Sequence, residues 1–256
     1  MIERTRHASG LEIIEWAPSV HADESPLILL HEGLGSAGLW RGFPAELAAR
    51  TGRRVIAWSR RGHGRSDPLE RAHGPRYMHE EAAGLGSVLG DVLGVDRAVL
   101  VGHSDGASIA LLYTASRPQT RVDALALLAP HVIVEDRTLA GIAAARDRYL
   151  HGDLPAHMAR HHDDADALFW AWNDVWLSPD FRGWDITSAL PHITCPVLVV
   201  QCEDDAYGTL RQVDLIAGGV KGPFDRLILP EGGHAPQRSH PTRVLDALET
   251  LLLSRS

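Results

Sequence analysis

The chain has 256 residues, of which 45% are hydrophobic and 23% charged, with a formal charge of −8. That length and balance suit one large globular domain, or a domain carrying an insertion, and exclude a disordered chain. The negative charge excludes general binding to nucleic acid or anionic membranes, which takes an excess of cations, and leaves a small neutral or apolar molecule as the expected partner.

The opening MIERTRHASG has no apolar h-region, and no run approaches the roughly 18 apolar residues that a bilayer span needs. The expectation is a cytoplasmic protein, monomeric or homodimeric, without membrane insertion. Apolar runs rich in Val, Leu and Ile follow at Leu11–Trp16, Leu27–His31, Arg54–Trp58, Ala98–Gly102, Ala124–Leu128, Val197–Gln201 and Arg226–Leu229. Continuous rather than alternating hydrophobicity marks strands covered on both faces, so the class is α/β with a mostly parallel central sheet flanked by helices. Helical spacing covers Met78–Gly94, the stretch after Ser104, and Pro241–Leu253 with proline near its start. From His131 to Pro191 no strand is predicted, and the segment reads as a helical insertion. Cys195 and Cys202 flank one strand with side chains toward opposite faces, which disfavours a disulfide.

The first strand-to-loop junction, LILLHEGLGSAGLW, places Gly33, Gly35 and Gly38 in the G-x-G-x-x-G spacing of a dinucleotide-binding loop. Arg60 and Arg61 follow the next strand, where a 2′-phosphate would want them. An NADP-dependent oxidoreductase is therefore one reading.

A second motif competes with it. Gly102-His103-Ser104-Asp105-Gly106 fits G-x-S-x-G between a strand and a helix. A serine on such a strained turn needs small neighbours, and the turn exposes its hydroxyl at a helix N-terminus, where the Asp105 N–H can face a developing oxyanion. His103 and Asp105 cannot complete a triad locally, because consecutive side chains diverge at a sharp turn. The segment RLILPEGGHAP puts His234 on a glycine-rich loop after a strand, and CPVLVVQCEDDAYG ends another strand in a cluster of acids. Serine, acid and histidine in that order supply a nucleophile, an orienting carboxylate and a general base.

With HEGLGSAGLW, SRRGHGRSDP, GHSDG, CPVLVVQCEDDAYG and EGGHAP in this order, the chain resembles the α/β-hydrolase superfamily over essentially its whole length. The resemblance implies the α/β-hydrolase fold, with a core of residues 1–130 and 192–256 and a helical cap of 131–191. It implies Ser104, His234 and Asp205 as the triad, with Asp204 and Glu203 as competing acids. Gly33, with Leu34 as alternative, joins Asp105 as oxyanion-hole donor. Leu34, His131, Trp170, Trp172 and Trp176 are candidate substrate contacts, Trp184 belongs to the same aromatic stretch, and His63 is a minor candidate. Glu32 departs from the family by replacing a glycine. Facing inward it would oppose an oxyanion, so it is expected to turn outward onto backbone or an arginine.

HHDDAD at 161–166 invites a metal site, but adjacent histidines do not share a helix face and no H-E-x-x-H supports it, so a solvated surface is expected. The reading is a serine hydrolase of a small carboxylic ester, thioester or lactone that needs no metal or organic cofactor. A carbon–carbon bond hydrolase or cofactor-free perhydrolase shares the fold, and a ligand-sensing receptor of this fold is the alternative of another class.

Overall fold

The computed structural model describes residues 1–18, 24–116 and 120–253. Among these residues eight strands, β1 (Ile2–Ala8), β2 (Leu11–Ala17), β3 (Leu27–Leu30), β4 (Val55–Trp58), β5 (Arg97–His103), β6 (Arg121–Leu128), β7 (Val197–Cys202) and β8 (Phe224–Leu229), form one sheet ordered β1-β2-β4-β3-β5-β6-β7-β8. Strands β1, β2 and β4 pair antiparallel, and every pairing from β4 to β8 is parallel. The central strands divide their side chains between two apolar layers with period two. Leu27 and Leu29 enter one core with Val99 and Val101, while Ile28 and Leu30 enter the other with Leu100. Strand β1 has no counterpart among the predicted strands. Its sequence, IERTRHA, alternates charges on a mostly exposed edge, so no apolar run betrays it.

Helices α1 (Phe43–Thr51), α2 (Tyr77–Ser87) and α3 (Asp105–Ala115) connect the first strands. Met78–Gly94 is not one helix as predicted. Regular winding stops at Ser87, and the Leu93 N–H bonds to the Val88 carbonyl five residues back at 3.0 Å. Gly84, Gly86 and Gly90 in this stretch supply no side chains to hold the tighter repeat. Between β6 and β7 the chain builds α4 (Asp136–His151), α5 (Leu154–Met158) and α6 (Ala165–Trp176), with only an isolated bridge between Ile133 and Asp185. Asp164 caps α6 by accepting the Ala167 N–H at 2.9 Å. Phe169 of α6 stacks on Tyr149 of α4 at 3.7 Å, and Trp176 packs on Phe181, so most of the insertion's aromatics hold it together. Helices α7 (Leu210–Gly219), α8 (Pro236–Ser239) and α9 (Pro241–Leu253) complete the chain. The loops after β3, β5, β7 and β8 all leave the carboxyl edge of the parallel strands, which gathers distant segments over one end of the sheet.

Candidate active site

Ser104 follows β5 with φ 53° and ψ −117°, a conformation that a non-glycine residue holds only under surrounding constraint. A Cβ at Gly102 would lie 2.5 Å from the Ala107 backbone, and one at Gly106 would meet the Leu30 carbonyl. The glycines therefore let α3 fold back tightly against β3 and β5, leaving the serine on the crest of the turn.

His234 Nε2 lies 2.9 Å from Ser104 Oγ, and its Nδ1 lies 2.9 and 2.8 Å from the two carboxylate oxygens of Asp205. Asp205 is fully buried, and its oxygens also accept the Gln201 amide and the Tyr207 N–H, both at 2.8 Å. Burial alone would raise this carboxyl. The His234 hydrogen bond, the charge of His234 and the Tyr207 N–H outweigh it and hold the group at about 2. The neighbouring acids take other positions. Asp204 accepts the N–H groups of Gly232 and Gly233 at 3.1 and 2.8 Å and so ties the histidine loop to the acid loop, while Glu203 is exposed. Ser104, His234 and Asp205 thus have the geometry of a nucleophile, a base and an orienting acid.

Residues 27–247 match the sequence model described as the alpha/beta hydrolase family. The chain belongs to the alpha/beta hydrolase family. It is similar to the sn-1-specific diacylglycerol lipase ABHD11 of Danio rerio, 33% identical over 38% of this chain, although the chain spans only 29% of that protein's length. It is similar to the bifunctional esterase/perhydrolase DCH of Acinetobacter calcoaceticus, 26% identical over 77% of this chain and 79% of that one. Among solved structures, VinJ superposes with a TM-score of 0.76 at 19% identity, covering 100% of this chain and 99% of its own, a likeness of fold.

In this alpha/beta hydrolase the loop after β3 is braced from below by histidines. His63 faces the carbonyls of Gly33 (Nε2, 3.1 Å) and Arg61 (Nδ1, 3.0 Å), and as a neutral imidazole it donates its one ring proton to one of them. His162 accepts the Gly64 N–H at Nδ1 (3.0 Å), which leaves its Nε2 proton for the Leu34 carbonyl (3.1 Å). The solvated surface expected at 161–166 is therefore wrong for His162, which is buried beneath the loop. Burial pushes His162 down to about 4 and His63 well below the ordinary histidine range, so both are neutral near pH 7. Among the described residues no three His, Cys, Asp or Glu side chains converge as a metal ion would need, and no helix is long and apolar enough to cross a membrane.

Glu32 does not turn outward. Half buried, it faces His103 Nδ1 at 3.3 Å and Arg238 at 3.7 Å, and a Cβ at Gly35 would collide with it. The arginine contact is the expected one, but the carboxylate lies along the site because the loop backbone turns its other side toward Arg60, which binds the carbonyls of His31 and Glu32 at 2.7 and 3.2 Å. The three glycines of the loop do not act as a set: a Cβ at Gly33 or Gly35 would clash, whereas at Gly38 it would meet open space.

A cavity of about 140 Å³ opens beside Ser104, lined by Glu32, Gly33, Leu34, Asp105, His131, Thr138, Ile142, Trp172, Trp176, Tyr207 and His234. Trp170 is not on its wall. That indole turns away, stacking under Arg146 at 5.1 Å and packing edge-on to Tyr149, because α6 presents only one face to the serine. His131 is buried with its ring 5.6 Å from that of His234, and burial, then the neighbouring His234, pushes it down to about 3. Tyr77 has no predicted site role, Asp204 is predicted only as a competing triad acid, and His103 is excluded from the triad by the turn. Tyr77 reaches Asp105 and Asp204 reaches the histidine loop only through tertiary packing, and His103 looks in sequence like a mere spacer within the elbow.

Proposed function

We propose that this protein is a serine hydrolase of small carboxylic esters, thioesters or lactones with an apolar acyl or alcohol part. The observation that carries the reading is the unbroken relay from Ser104 Oγ through His234 to buried Asp205. Ser104 attacks the carbonyl carbon as His234 takes its proton, and Asp205, ionised throughout the working range, fixes the imidazole and stabilises the imidazolium. The N–H groups of Gly33 and Asp105, which flank the serine at the cavity wall, hold the oxyanion, each worth about 3 kcal/mol. His234 returns the proton to the leaving group, which departs as the carbon–heteroatom bond breaks. Water, deprotonated by His234, then cleaves the acyl-enzyme to release the acid and restore Ser104. Neutral His131 adds no competing positive charge beside the imidazolium. Leu34, Trp172 and Trp176 form the apolar walls, and residues 131–191 act as the cap.

The test is mass spectrometry after treatment with a serine-directed fluorophosphonate, with turnover of p-nitrophenyl esters, lactones and thioesters alongside. The expected result is one adduct on Ser104, lost in Ser104→Ala together with turnover. Labelling that survives Ser104→Ala, or tight ligand binding without acyl transfer, overturns the reading.

A further inference from the structure

The Asp105 side chain does nothing in that mechanism, yet its position is costly. The residue is 2% exposed and is among those lining the catalytic cavity. Its hydrogen bond comes from the Tyr77 hydroxyl at 2.5 Å. Trp176 Nε1 donates to the same hydroxyl oxygen at 2.9 Å, so the Tyr77 proton is left to point at Asp105 and fixes the carboxylate as an acceptor. Arg60 acts on Asp105 only through its field, since its guanidinium is bonded to the carbonyls of His31 and Glu32. Burial raises the Asp105 carboxyl. A buried carboxylate without a cationic partner is unfavourable, and this one stands on the residue whose N–H faces the oxyanion, where its charge opposes the transition state.

A cation beside this acid would stabilise its charge beyond what the Tyr77 hydrogen bond and the fields of Arg60 and His234 supply. The cavity wall holds no lysine or arginine, and its histidine outside the triad, His131, is neutral. Trp172, Trp176 and Tyr207 present aromatic surface around the same space, which attracts a cation and not an anion. Gly33 lets the loop pack closely here, because a Cβ there would stand 2.2 Å from Trp172 Nε1 and 2.9 Å from Asp105 Oδ2. At about 140 Å³ the space equals about five water volumes, enough for a short side chain and an amine.

We propose that the cavity recognises a protonated amine next to the scissile carbonyl, making esters of small amino acids the preferred substrate class, with Asp105 as the specificity-determining anchor. This rests on the serine hydrolase reading and narrows it. Ethyl isobutyrate, ethyl lactate, ethyl alaninate and monoethyl methylmalonate differ only in carrying methyl, hydroxyl, ammonium or carboxylate at one position. Each would be cleaved by water to its acid and ethanol. They are compared at pH 6.5, below the α-amino pKa of about 7.7.

The expected ranking in kcat/KM places the alaninate at least tenfold above the isobutyrate and the carboxylate last. In Asp105→Asn the alaninate-to-isobutyrate ratio, taken within one protein so that any common loss cancels, falls at least tenfold. An isobutyrate or lactate that equals the alaninate overturns the proposal, as does an unchanged ratio in Asp105→Asn. The ranking in the unmodified protein decides by itself should the variant not fold. Fluorophosphonate labelling of Ser104 in the same samples separates the two readings. With labelling and no alaninate preference only the amine anchor falls, and with neither labelling nor turnover both fall.

Discussion

His103 Nε2 donates to the main-chain carbonyl of His234 at 2.6 Å, so the residue before the nucleophile holds the loop that carries the base. Its other nitrogen faces Gln237 and Glu32 at 3.1 and 3.3 Å, joining the histidine loop, the elbow and the loop after β3 in one polar network. A base displaced by an ångström from its nucleophile costs about 100-fold in rate. His103→Phe is therefore expected to lower kcat by about 10- to 100-fold with little change in KM. His103→Gln, which can still donate to that carbonyl, should recover part of the loss. Equal loss in the two variants, by steady-state kinetics, would refute the role.

Glu32 gives a pH signature. Burial would raise its carboxyl, but the hydrogen bond and charge of His103, and then Arg238, hold it at about 2 against an ordinary 4.5. Between those values the unfolded chain binds the proton and the folded one does not. The stabilisation is thus complete above pH 4.5 and lost as pH falls toward 2. Melting temperature should drop less steeply over this window in Glu32→Gln than in the unmodified protein, and parallel curves by calorimetry would exclude the linkage.

His162 links the insertion to the catalytic core. Its neutral tautomer bridges Gly64 N–H and the Leu34 carbonyl, and protonation removes the acceptor at Nδ1. His162→Phe leaves both partners unpaired and should cost about 1–3 kcal/mol. Amide exchange in residues 32–36 should accelerate in this variant. In the unmodified protein the same acceleration should set in as pH falls through about 4. Exchange confined to the insertion would separate His162 from the loop.

The glycines of the loop after β3 and of the elbow can be told apart by alanine. Gly33→Ala drives a methyl into the Trp172 indole and toward Asp105, so turnover should fall while most of the fold survives. Gly106→Ala meets the rigid Leu30 carbonyl and should impair folding itself. Gly38→Ala meets open space and should leave melting temperature and turnover nearly unchanged. A large loss in Gly38→Ala would restore the idea of a three-glycine cofactor loop.

Seven strand positions, the serine elbow and the order of serine, acid and histidine were legible because each depends on local patterning: an apolar run, a glycine-flanked turn, a loop after a strand. Strand β1 was not, since an exposed edge needs no apolar signal, and neither was the end of α2, where glycines permit a wider turn without dictating it. The sequence by itself determined that a serine, an acid and a histidine would meet at one end of a parallel sheet. Only the tertiary structure decided which neighbour each buried polar group has. Glu32 faces His103 and Arg238, His162 carries the loop after β3, and Asp105 accepts from Tyr77, whose hydroxyl Trp176 holds in turn. These pairs lie far apart in the chain, so no spacing rule joins them. They form because a polar group removed from water takes whatever partner the packed fold brings within reach.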